Sequence, residues 1–197
     1  MFSAKSSFLE DIKSGLQIIH IDPSVQINEK PSVNEILERL FDLYQFCWHK
    51  AKELNKDIIF EIGTEEQSGS TNTTEELENV LSSVNQFCSK NDLPIPFFTV
   101  FQCGTKVMET RNVGSFDSPL RIKDEIPAEI QLPKILEACE RNNVFLKEHN
   151  ADYLSNESLQ WHPKLGITAA NVAPEFGVIE SKTFLQLLEE NNLNNFA

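Results

Sequence analysis

The chain has 197 residues, 40% hydrophobic and 24% charged, which is ordinary globular composition and enough length for one domain with its own core. A formal net charge of −13 argues against nucleic acid or an anionic membrane as partner, because such binders need an excess of Lys and Arg to displace counterions. The N-terminal stretch MFSAKSSFLEDIKSG carries no apolar leader core, and no run of about 18 apolar residues follows, so the expected location is the cytoplasm.

Short runs rich in Ile, Val and Phe recur along the chain, each followed by a segment of helical period, the alternation of a parallel α/β sheet. The first, Gln17 to Asp22, precedes a capping box at Ser32 and Glu35 and a helix to about Leu54 with Ile36, Leu37, Leu40, Tyr44, Cys47 and Trp48 on one face. The second, Asp57 to Glu61, precedes a Gly/Ser/Thr segment. Thr73 and Glu76 then open a helix that turns Leu77, Val80, Leu81, Val84 and Phe87 inward.

Phe97 to Gln102 is the third run, Val144 to His149 the fourth and Gly166 to Val172 the fifth, with further helices predicted around Leu132 to Arg141 and Ser181 to Glu190. Periodicity by itself fits an open doubly wound sheet or a barrel equally. No phosphate-cradling G-x-G-x-x-G or Walker-type loop follows any strand, which removes weight from the nucleotide-binding versions. The cysteines, Cys47, Cys88, Cys103 and Cys139, form no C-x-x-C pair and read as small buried hydrophobes of a reducing compartment.

Polar residues gather where the apolar runs end: His20 and Asp22, Glu61 and Glu65, Gln102, His149 and Asp152, Asn171 and Glu175. In a barrel the C-terminal strand ends share one mouth, so these side chains are expected to converge. Strand parity puts His20 with Asp22, Ile59 with Glu61, and Lys147 with His149 on common faces. An imidazole closing a buried strand is equipped to ligate a metal or to carry a proton, which singles out His149. His49 falls in mid-helix and reads as structural. His162, before Pro163, fits a cap or a site residue. Lys147 fits an ion pair with Glu148, or, if desolvated, a Schiff-base amine. Gly63 to Thr74 precedes a helix N-terminus and suits either a phosphate or a plain solvated loop.

The ordered series IIHIDPS, FEIGTEE, TVFQCGT, KEHNADY and GITAANVAPEFG resembles the strand ends of the tagatose-bisphosphate aldolase non-catalytic subunit family, relatives of the zinc-dependent class II aldolases. The resemblance spans roughly residues 15 to 180 and implies a TIM-barrel-like (β/α) fold with about five of the eight βα units, read as a single partial barrel domain over 1–197. It departs from the family at Glu66-Gln67-Ser68 and at Ala173 to Gly177, and it lacks the family's early strands, which implies a fragment of a longer chain. It implies an accessory subunit that binds a sugar phosphate or stabilises a catalytic aldolase subunit, or a homo-oligomer. The alternative is a metal-dependent sugar-phosphate isomerase, epimerase or aldolase acting alone. By the same resemblance His149 and Glu61 would bind Zn2+ or another divalent metal. Asp22, Glu61, Glu65 and His149 would carry chemistry, and His20, Gln102, Asp152, Asn171 and Glu175 would contact substrate.

Overall fold

A computed structural model describes residues 2–24, 31–63, 73–118, 126–191 and 193. Helix α1 (Phe2–Ser14) leads into strand β1 (Ile18–Ile21), helix α2 (Val33–Glu53), β2 (Ile59–Ile62), α3 (Thr74–Lys90) and β3 (Phe98–Phe101). A hairpin of β4 (Val107–Met108) and β5 (Arg111–Asn112) follows, then α4 (Ala128–Arg141), β6 (Phe145–Glu148), α5 (Asn156–Leu165), β7 (Ala169–Ala170) and α6 (Pro174–Glu190).

The sheet settles what periodicity left open. Its order is β1-β2-β3-β6-β7 with every neighbouring pair parallel, so each new strand adds to the same edge. A doubly wound sheet reverses direction at a switch point, whereas stepwise addition to one edge is barrel winding. The fold is therefore α/β and TIM-barrel-like, with five parallel strands in place of the eight of a closed barrel.

Local signals account for the first helices. Ser32 and Glu35 form a reciprocal capping box, the Ser32 amide donating to Glu35 Oε2 at 2.8 Å and the Glu35 amide to Ser32 Oγ at 3.3 Å. Thr73 and Glu76 repeat it at α3. The inward stripes then bury Leu40, Tyr44 and Cys47 of α2 and Leu77, Leu81 and Val84 of α3 against Ile19, Ile21, Phe60 and Ile62 of the sheet. Tyr44 stacks on Phe60 with ring centroids 3.7 Å apart and donates its hydroxyl to the Pro94 carbonyl.

Four features depart from expectation. The hairpin strands are two residues each, too short to show alternation. Helix α5 carries no apolar stripe, burying Ser158 and His162, and has Pro163 in its last turn. The run Gly166 to Val172 yields a strand of two residues, since only Ala169 and Ala170 find partners on β6. Helix α6 starts at Pro174, seven residues before the predicted Ser181, and none of its residues is buried. All four cysteines are free and buried, as small hydrophobes. No described helix is long and apolar enough to cross a membrane.

Phe60, 1% exposed between Tyr44 and Trp48, is the test of this layer. Phe60→Ala is expected to cost about 3–5 kcal/mol, transfer plus cavity. Denaturant unfolding should show a lowered midpoint at unchanged slope. A loss under 1 kcal/mol would mean that the helices do not close over β2 as described.

Candidate functional site

Pairing register assigns the faces. His20 stands opposite Glu61, Glu61 opposite Phe98, Val100 opposite Lys147, and Lys147 opposite Ala169. Ile19, Phe60 and Leu146 face the helices, so Ile18, His20, Ile59, Glu61, Phe145, Lys147 and His149 line the opposite, lumen side. Ile18, Ile59 and Phe145, 49%, 38% and 48% exposed, form an apolar floor at the strand starts, left open because five strands do not close a barrel.

One layer above lies an ion cluster. Glu61 takes His20 Nδ1 at 2.8 Å on Oε1 and receives a hydrogen bond from Lys147 Nζ at 2.7 Å on Oε2, the lysine reaching across β3. Burial pushes the Glu61 carboxyl up, but the two hydrogen bonds and charges outweigh it and hold the group below its ordinary value. The expected Lys147–Glu148 pair does not form: neighbours on a strand point to opposite faces, and Glu148 is turned into the helix layer.

At the rim stand Asp22, Gly63 and His149. A Cβ placed on Gly63 would lie 3.0 Å from His20 Cε1 and 3.4 Å from Asp22 Oδ2, so the glycine lets β2 close against β1's polar residues. Asp22 Oδ1 accepts from the Ser24 amide and hydroxyl. Burial drives the His149 imidazole below its ordinary pKa against the pull of Asp22, so a neutral ring is at hand near neutral pH.

The remaining expected residues serve loops around this rim. Gln102 donates to the Thr105 carbonyl and accepts from Asn150. Asp152, 2% exposed, accepts through Oδ1 from the Ala173 and Glu175 amides where α6 begins, and Glu175 accepts from the Tyr153 amide at 2.7 Å. Asn171 pairs through its backbone with Glu148 and Ala151. Glu65 and most of the Gly63 to Thr74 segment lie outside the described residues. His162 is buried edge-on against Phe116, away from the mouth, and His49 is exposed in mid-α2.

Two side chains that sequence patterning did not single out hold the rim. Asn112, on β5, spends both amide hydrogens on the Asn150 and Asp152 carbonyls and accepts from the Lys106 and Gly114 amides. Glu148 is fully buried behind the mouth, within bonding distance of the Cys103 amide and Sγ and of Thr105 Oγ1. Thr105 Oγ1, with one hydroxyl hydrogen to give, lies within bonding distance of both Glu148 Oε1 and the His149 carbonyl. Burial pushes this carboxyl up to about 7 in spite of the Cys103 and Thr105 hydrogen bonds.

The imidazoles and carboxylates of the mouth are chemically compatible with a divalent metal, yet among the described residues no three His, Cys, Asp or Glu side chains are arranged to hold one. Both Glu61 oxygens are already engaged by His20 and Lys147.

No protein-family model and no curated protein matches the chain. Solved structures do. A 2,3-dimethylmalate lyase, a member of the PEP mutase/isocitrate lyase superfamily, superposes with TM-score 0.58 at 10% identity over 100% of this chain and 58% of its own. Oxaloacetate acetylhydrolase in complex with oxalate gives 0.51 at 11% identity over 97% and 56%. An octameric ribulose-1,5-bisphosphate carboxylase/oxygenase from Pyrococcus horikoshii OT3 gives 0.50 at 9% identity over 86% and 33%. The chain thus spans less than two thirds of the length of these relatives, and at such identities the likeness is one of fold. These neighbours overturn the resemblance to the tagatose-bisphosphate aldolase subunit family. Its strand-end fragments are short polar groups of the kind that any barrel mouth of this winding presents, so their order tracks the fold rather than that family.

The state of Glu148 is open to measurement. The folded chain keeps this proton from about pH 4.5, the ordinary value, to about 7, whereas the unfolded chain releases it at the lower figure. The stability it contributes is complete below pH 4.5 and is lost as pH rises through about 7. Melting temperatures of wild type and Glu148→Gln from pH 4 to 8 should diverge across that window, the wild type losing ground to the variant. Parallel curves would show that Glu148 is ionised in the folded protein.

Proposed function

We propose that the chain is a lyase-like barrel protein whose strand-end mouth binds a small organic anion, a carboxylate or a sugar phosphate, and moves a proton on it. The observation that carries the reading is the His20–Glu61–Lys147 row with His149 beside it. Two nitrogen groups share one buried carboxylate at the level where barrel enzymes place substrate. An anion entering above the row meets Lys147 and His20 as electrostatic partners, with Glu61 holding both in place. His149, kept neutral by burial, is the base, and Asp22 faces it as the orienting carboxylate. Gln102, Asp152, Asn171 and Glu175 fix the loops that frame the opening.

Two of the structural neighbours, a lyase of 2,3-dimethylmalate and a hydrolase of oxaloacetate solved with oxalate, act on small organic acids, which supports carbon–carbon chemistry on such a compound as the class. The isomerase alternative needs Glu61, Glu65 and His149 on one metal, and the engagement of both Glu61 oxygens weighs against it. The open edges at β1 and β7 support assembly with a second polypeptide, a further copy or the rest of a longer chain.

Thermal melts with oxalate, inorganic phosphate, a ketose bisphosphate and zinc test the proposal, because a ligand of the folded state raises the melting temperature by mass action, about 2.7 kcal/mol at 100 times Kd. A shift by an anion that weakens at least tenfold in Lys147→Met is the expected result. The double variant Glu61→Gln/Lys147→Met, which leaves no buried carboxylate without its lysine, should also lose the anion while keeping its fold. No shift by any anion, or a shift indifferent to Lys147, would sink the reading.

A further inference from the structure

Asn112 lies on the hairpin that follows β3, 9% exposed, and all of its amide capacity is used. Its Oδ1 accepts from the Lys106 amide at 3.0 Å and the Gly114 amide at 3.1 Å, which closes its own turn. Its Nδ2 donates at 3.0 Å to the Asn150 carbonyl and at 2.9 Å to the Asp152 carbonyl, 38 and 40 residues away. The two halves of one side chain thus do separate jobs: the oxygen shapes the hairpin, and the nitrogen grips the turn that leaves β6.

That turn needs a grip. Asn150 and Tyr153 adopt positive φ, 54° and 58°, a conformation costly for residues other than glycine. His149 immediately precedes it. Asp152 within it holds the Ala173 and Glu175 amides, and Ala151 donates to the Asn171 carbonyl at 3.0 Å. A residue that fixes this turn therefore fixes the strand end carrying His149 and, through Asp152, the start of α6. Gly114 allows the approach: a Cβ there would sit 2.2 Å from the Gly104 carbonyl oxygen, so the hairpin root closes only without a side chain.

We infer that Asn112 is a positioning residue of the mouth, acting through the Asn150–Asp152 turn to set where His149 and Asp152 stand. Its bearing on anion binding rests on the function proposed above; its hold on the turn does not. Aspartate at this position keeps the acceptor for Lys106 and Gly114 but replaces the donor nitrogen and both its hydrogens with one oxygen facing two carbonyls, which cuts the grip and leaves the hairpin's own turn.

The full-length wild type, Asn112→Asp and Asn112→Ala are compared by amide hydrogen exchange, by the His149 ring proton signal in NMR, and by calorimetric titration with oxalate and with inorganic phosphate. In Asn112→Asp the Ala151 and Tyr153 amides should exchange at least tenfold faster and the His149 signal should move. The hairpin amides, the β1 and β2 amides and the His20 signal should stay as in wild type. In Asn112→Ala, the second variant should aspartate prove unfolded, the hairpin amides should open as well. Anion affinity should fall at least tenfold in both. An unchanged turn and His149 signal would overturn the grip, and an opened turn with unchanged affinity would overturn the positioning role. If wild type binds neither anion, the binding-site reading fails, while exchange and the His149 signal still decide the part played by Asn112.

Discussion

A carboxylate buried in the lumen of an open sheet is a costly element, and much of the mouth is arranged around making Glu61 tolerable. Removing an ionised carboxylate from water costs several kcal/mol unless it is paired and hydrogen-bonded. Glu61 obtains a partner on each oxygen from different strands, His20 of β1 and Lys147 of β6. The lysine must cross about two strand spacings, roughly 9–10 Å, to reach it, and its long stem makes that possible. The cluster therefore ties β1, β2 and β6 together at one level, and so sets the height at which the site lies above the apolar floor.

Charge on the two faces of the sheet is handled by opposite means. On the lumen side Glu61 is kept ionised by hydrogen bonds from His20 and Lys147. On the helix side Glu148, one residue beyond Lys147, has no cation among its hydrogen-bond partners and holds its proton to about pH 7. Alternation along β6 turns Lys147, the partner of Glu61, to the lumen and Glu148 to the helix layer, and the two carboxylates anchor different neighbours. Glu61 orders Lys147 and His20 on the lumen face, and Glu148 orders Cys103 and Thr105 at the root of the loop framing the opening. Polar clamps from Asn112 and Asp152 extend that order to α6.

The same five strands leave surfaces that a closed barrel would bury. Phe97, Phe98 and Phe145 contact one another on the floor, with Phe97 and Phe145 42% and 48% exposed. Phe176, Phe184 and Leu185 of α6 are more exposed still. An apolar helix that none of the described residues buries is unusual in a stable monomer. The chain covers 58% of the length of the 2,3-dimethylmalate lyase that it resembles in fold.

The sequence by itself determined the elements whose cause is local. Capping boxes at Ser32 and Thr73, the stripes of α2 and α3 and the apolar runs at β1, β2, β3 and β6 follow from interactions within a few residues, and each lies where patterning put it. Parity also put His20 with Asp22, Ile59 with Glu61 and Lys147 with His149 on common faces, because a strand alternates whatever surrounds it, but which face turns to the lumen came from the pairing of the strands. Only the tertiary structure decided which strands adjoin, and so that Lys147 pairs with Glu61, 86 residues away, rather than with Glu148 beside it. It likewise decided the roles of Asn112, which sequence patterning did not single out, and of Glu148, which in sequence was only a neighbour for Lys147 to pair with. Their partners lie 38 to 45 residues distant, and hydrogen bonds at such separations leave no periodic trace along the chain.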